Sequence, residues 1–201
     1  MRIGLFGGTF DPVHIGHLIL AEQCRAQAHL DEVWFLPSYQ PPHKSGRSVT
    51  RFEQRCDMLA LACVGQPAFR IEPIEKQLPP PSYTAETLRE LTERHPDHEF
   101  HLLLGADSVI DLPTWYEPLQ VIAKAGLIVV PRPGVMLLTA EMLASALSLP
   151  DTAHVRFRVV SSPQVEVSSR DLRRLIAGGH SIRYMVPRSV EEYIRERKFY
   201  L

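Results

Sequence analysis

Short apolar runs alternate along this chain with longer stretches of helical spacing, the pattern of a parallel sheet with crossover helices. Residues 2–6, 31–37, 69–71, 100–104, 126–130 and 155–160 read as strands. The second is polar at entry and apolar within, as a strand covered on both faces requires. Ile15, Leu18, Ile19 and Ala21 recur at the spacing of a helix from His14 to about Ala28. Further helices are predicted over 51–63, from a Thr84 cap to about Arg94, over 140–147, from Ser168 onward, and over 187–198. The alternation predicts the α/β class, a Rossmann-like doubly wound parallel sheet with a small C-terminal helical extension. The 201 residues suit a single domain, with a core over 1–165 and helices over 166–201. Within it, 135–154 reads as an insertion without a chemical signal.

The densest chemistry follows the first strand. Gly7 and Gly8 predict a turn in which backbone approaches a ligand, and Pro12 disfavours α geometry at Asp11, which suits Asp11 as N-cap and Pro12 as first helical residue. His14 and His17 then share one face of the helix start, beside unpaired N–H groups and the positive helix end, a setting for anions. The competing readings are two solvated histidines or a metal pair, but a zinc site needs three or four ligands and no Cys stands nearby in the sequence. Gly105 and Asp107 follow the fourth strand, where a doubly wound sheet places ligands. Ser168 and Asp171 read as a capping-box variant at a later helix start.

The net charge of -1 gives no general attraction to nucleic acid or an anionic membrane, so a charged ligand must be met by local groups. Cys24, Cys56 and Cys63 form no C-x-x-C pair and are odd in number, which argues against a disulfide framework or thiolate metal site. Met1 runs directly into the first strand and no apolar run reaches membrane-spanning length, so a cytoplasmic protein is expected.

Gly8-Thr9-Phe10-Asp11-Pro12 followed by His14-Ile15-Gly16-His17 resembles the signature of the nucleotidylyltransferase superfamily, whose H-x-G-H motif holds the phosphates of a nucleoside triphosphate. The motif is similar to that of class I aminoacyl-tRNA synthetases, but the chain lacks room for their tRNA-binding domains and a Lys-Met-Ser-Lys-Ser segment. Val167-Ser168-Ser169 with Arg173 resembles the superfamily's second signature, with Arg170 where Thr is common. Pro41-Pro42-His43-Lys44, Ser82-Tyr83-Thr84, Thr114-Trp115-Tyr116 and Arg132-Pro133-Gly134 are similar to segments of bacterial nicotinate-nucleotide adenylyltransferases.

The resemblance implies adenylyl transfer from ATP to nicotinate mononucleotide, giving deamido-NAD and pyrophosphate in NAD biosynthesis. It implies ATP contacts from Gly7, Gly8, Thr9, Phe10, His14, His17, Gly105, Asp107, Ser168, Ser169, Arg170 and Arg173, with His14, His17 and Arg173 catalytic. For the mononucleotide it implies His43, Lys44, Tyr83, Thr84, Trp115, Tyr116 and Arg132, with Trp115 as platform for the pyridine ring. Mg²⁺ would arrive with the ATP phosphates, without a protein metal site. Nicotinamide mononucleotide or phosphopantetheine as acceptor, and a nucleotide-sensing module without turnover, remain the alternatives.

Overall fold

In the computed structural model, which describes residues 1–40 and 49–201, the apolar runs pair into one parallel sheet of six strands. These are β1 (Arg2–Gly8), β2 (Glu32–Pro37), β3 (Phe69–Ile71), β4 (Glu99–Gly105), β5 (Ala125–Val130) and β6 (Phe157–Val159). Their order is β3-β2-β1-β4-β5-β6, so the chain works outward from β1 on one side, then returns to build the other half from β4. Parallel pairing of β1 with both β2 and β4 puts the point where the chain reverses its direction of travel between β1 and β4. Gly8 is in register with Pro37, and Gly105 with Val130, so these strand ends open at one edge.

The helices are α1 (Ile15–Ala28), α2 (Phe52–Cys63), α3 (Thr84–Arg94), α4 (Ala106–Asp111), α5 (Pro118–Lys124), α6 (Ala140–Ala146), α7 (Ser169–Ala177) and α8 (Arg188–Arg197). Alternate strand residues feed two apolar layers, as the period-two rule demands. Ile3, Leu5, Trp34, Leu102 and Leu127 pack on one face with Leu88 and Leu91 of α3, Val121 of α5 and Leu143 of α6. Val33, Phe35, Leu103 and Ile128 pack on the other with Cys24 of α1, Met58 and Leu59 of α2, Leu172 of α7, and Val190 and Ile194 of α8.

Several local expectations fail for identifiable reasons. Gly7 and Gly8 do not turn; they remain in β1, paired with Leu36 and Pro37. The reversal comes one step later, where Phe10 takes a left-handed φ of 50° and the Asp11–Pro12 peptide is cis. Helix α1 begins at Ile15, its N-cap is His14, and Asp11 is not a cap because its carboxylate is used elsewhere. Thr84 is likewise the first residue of α3 rather than its cap, which is Tyr83 without a side-chain bond. Helices α4 and α5 are each too short to show a period in the sequence. At α7 the expected cap is present: the Ser168 hydroxyl accepts from the Asp171 N–H at 3.1 Å.

Candidate active site

Where β1 ends, the backbone makes room rather than a turn. A Cβ on Gly7 would meet nothing within 4 Å, whereas one on Gly8 would lie 2.9 Å from the Phe10 ring. Glycine at position 8 lets Phe10 fold back under the strand end, where its ring meets the edges of Phe6, Phe35 and His17. Gly7, Gly8 and Thr9 line a cavity of about 630 Å³, a size that suits a small-molecule ligand.

At the start of α1, His14 and His17 stack with centroids 3.7 Å apart and planes 29° from parallel. The His14 backbone N–H donates to His17 Nδ1 at 3.2 Å, so the His17 proton is assigned to Nε2. Burial holds His14 down to about 4. His17 is pushed well below the ordinary imidazole value by burial first, then by the neighbouring His14 and by the Arg132 charge. Both rings are therefore neutral at pH 7, each with an N–H to offer an anion. His14 Nδ1 is buried without a hydrogen-bond partner among the described residues. Gly16 makes the stack possible, because a Cβ there would sit 3.1 Å from that nitrogen.

The second helix start converges on the same turn. Ser169 Oγ donates to the Pro12 carbonyl at 2.8 Å, and Arg173 Nη1 donates to the Asp11 carbonyl at 2.6 Å. The N-terminus of α7 and the Arg173 guanidinium thus stand beside the His14–His17 pair, while Arg170 is exposed. Two helix N-termini with neutral donors and a guanidinium form a cradle for a polyanion.

Among the described residues lining the cavity are Tyr83, Thr84, Trp115 and Tyr116, together with Thr9. Tyr83 and Tyr116 stack at 4.5 Å, and Trp115 is half-buried against the apolar layer carrying α3 and α5. Arg132 is not with this group. Its Nη1 is 2.8 Å from Asp107 Oδ2, and its charge reaches His17, so it stands toward the histidine side. Asp107 lies in the first turn of α4, with Oδ1 buried and unpartnered among the described residues. His43 and Lys44 lie outside the described residues.

Two residues of the site region carried no sequence signal. Arg55, 2 % exposed, donates to the carbonyls of Thr9 at 2.7 Å, Ser38 at 2.7 Å and Thr50 at 2.9 Å. It stands in a helical stretch where an arginine reads as solvent-facing. Glu75 lines the cavity and accepts from the Tyr39 N–H at 3.1 Å, its carboxyl pushed up by burial.

Comparison with known proteins bears on this arrangement. A family model described as cytidylyltransferase-like matches residues 5–175. A protein of Geobacillus thermodenitrificans named as a probable nicotinate-nucleotide adenylyltransferase is 42% identical over 199 residues, covering 99% of this chain and 86% of its own. One of the same name from Exiguobacterium sibiricum is 42% identical over 200 residues, covering 100% of this chain and 99% of its own. Among solved structures, the Plasmodium falciparum nicotinic acid mononucleotide adenylyltransferase complexed with NaAD superposes with a TM-score of 0.78 at 18% identity, over 99% of this chain and 97% of that one, which shows a shared fold. With its H-x-G-H pair set on a doubly wound sheet and relatives matched along its length, the chain belongs to the nicotinate-nucleotide adenylyltransferase family within the cytidylyltransferase-like proteins.

Proposed function

We propose that the protein transfers AMP from ATP to nicotinate mononucleotide, releasing pyrophosphate and forming deamido-NAD. The observation that carries this reading is the neutral, stacked His14–His17 pair at one helix start, joined through the Asp11 and Pro12 carbonyls to Arg173 and the start of α7. An acceptor phosphate has a second pKa of about 6, so its oxygen is already an anion near neutral pH and needs no general base. That oxygen attacks the α phosphorus; the new P–O bond forms as the bond to the bridging oxygen breaks, and the electron pair leaves on pyrophosphate.

The protein's part is to hold two anions in line and meet the charge on the leaving group. Positioning contributes about 7–11 kcal/mol and each aimed donor about 3 kcal/mol more. His14 and His17 Nε2–H, Arg173 and the amides at Ser168 and Ser169 fit the β and γ phosphates, with Gly7, Gly8, Thr9 and Phe10 around them. Gly105 and Asp107 fit the ribose side, and exposed Arg170 an outer phosphate contact. Tyr83, Thr84, Trp115 and Tyr116, which share the cavity, fit the mononucleotide, and we place Arg132 nearer the phosphates than the ring. We place Mg²⁺ with the ATP phosphates, as the resemblance implies. When bound it neutralises phosphate charge. Free thiols at Cys24, Cys56 and Cys63 support a reducing, cytoplasmic setting.

Two measurements test the reading. Wild-type protein with ATP and Mg²⁺ is expected to release pyrophosphate only when an acceptor mononucleotide is added; none under any condition would favour a nucleotide-sensing module. His17→Ala is expected to lower turnover about a hundredfold while mononucleotide binding changes little. Equal loss of both, or of neither, would remove His17 from the assigned role.

A further inference from the structure

The turn that carries the phosphate-facing groups is held by a residue 189 positions away. After α8, Lys198 and Tyr200 both take left-handed backbone, with φ of 56° and 64°, which folds the Tyr200 ring back toward the end of β1. Its hydroxyl donates to Asp11 Oδ1 at 2.6 Å. The other Asp11 oxygen accepts from the Thr50 N–H at 3.3 Å, and Asp11 is only 4 % exposed. Arg55, close enough for its charge to interact with Asp11, holds Thr9 and Thr50 on either side. The Asp11 carbonyl, in turn, is the acceptor for Arg173 at 2.6 Å.

The geometry points to Tyr200 as a positioning residue for the triphosphate end of the site: by fixing the Asp11 carboxylate it fixes the carbonyl that aims Arg173 and the turn that leads into His14. A buried carboxylate must have donors, and here the strongest by distance comes from the Tyr200 hydroxyl. Burial and the adjacent Asp11 charge push the Tyr200 hydroxyl up, so it keeps its proton and stays a donor. Tyr200 also meets the Thr50 side chain and lies within reach of the Arg173 charge, and its shortest contact with the turn is the one to Asp11. The inference rests on the adenylyl-transfer reading for its kinetic form, but not for its binding form.

The test is Tyr200→Phe in the full chain, which removes only the hydroxyl, with Asp11→Ala as the variant of the other partner. Kinetics are taken below the unfolding midpoint measured for each variant. Both are expected to lower kcat about tenfold and to raise the KM for ATP, with the KM for nicotinate mononucleotide unchanged within twofold. In the Asp11→Ala background, Tyr200→Phe is expected to add less than twofold. Unchanged kcat, equal shifts in both KM values, or effects that multiply would overturn the inference. Calorimetric binding of a non-hydrolysable ATP analogue separates the two readings. Weaker binding by Tyr200→Phe supports the positioning role even if wild type releases no pyrophosphate, a result that would overturn only the transfer reaction.

Discussion

A histidine that binds phosphate is commonly pictured as a cation, but His14 is too deeply buried for that, and its value of about 4 makes it a neutral donor at pH 7. This has a measurable cost. In the unfolded chain His14 takes up its proton near 6.5, in the folded protein only near 4. Between those values the unfolded state binds more protons, so stability from this group is complete above 6.5 and is lost as pH falls toward 4. The full span is worth about 3 kcal/mol. Urea unfolding at pH 7 and pH 4.5 is expected to show wild type losing about 2 kcal/mol more than His14→Gln, whose side chain does not titrate. Parallel losses would contradict the neutral assignment. The pair itself was legible in the sequence, because H-x-G-H spells its spacing; the neutral state was not, since it depends on burial, to which the Phe6 and Phe10 rings against His17 contribute.

Among the elements, the start of α1 separates stability from activity. Gly16 is helical, and alanine there gains about 1 kcal/mol of helix propensity, yet its Cβ would press on His14 at 3.1 Å. Gly16→Ala is therefore expected to keep or raise the unfolding midpoint while lowering kcat about tenfold; a destabilised but fully active variant would contradict this. Arg55 of α2 has the opposite signature. Arg55→Met leaves the Thr9, Ser38 and Thr50 carbonyls without their donor and is expected to cost about 4 kcal/mol in chemical denaturation, with little change if those carbonyls reach solvent instead. Long elements with a clear period were readable: α1, α2, α3 and α8 fall within a residue or two of their apolar spacing. Their starts were less so, since Asp11 and Thr84 have the right chemistry for caps, but the N-cap positions belong to His14 and Tyr83.

At the scale of the molecule, the sheet order determines what can meet. Residues 9–17, 105–107, 132 and 168–173 are far apart in sequence, and only the reversal between β1 and β4 gathers them at one edge. The strand pattern predicted that edge, while it was the resemblance to the two nucleotidylyltransferase signatures that assigned the motif residues after the first strand and at α7 to one site. Arg132 shows the limit: its flanking prolines and place after β5 suggest a ligand residue, but which ligand depends on the pairing of β5 with β4 and on its reach to Asp107 and His17. The cavity lined by Tyr83, Thr84 and Trp115 bears on the account's most exposed claim, that the acceptor is a pyridine mononucleotide bearing a carboxylate. Pyrophosphate release from ATP and Mg²⁺, compared across nicotinate mononucleotide, nicotinamide mononucleotide and phosphopantetheine, tests it most directly. The account predicts the highest kcat/KM with the nicotinate acceptor; an equal or higher value with the amide or with phosphopantetheine would contradict it.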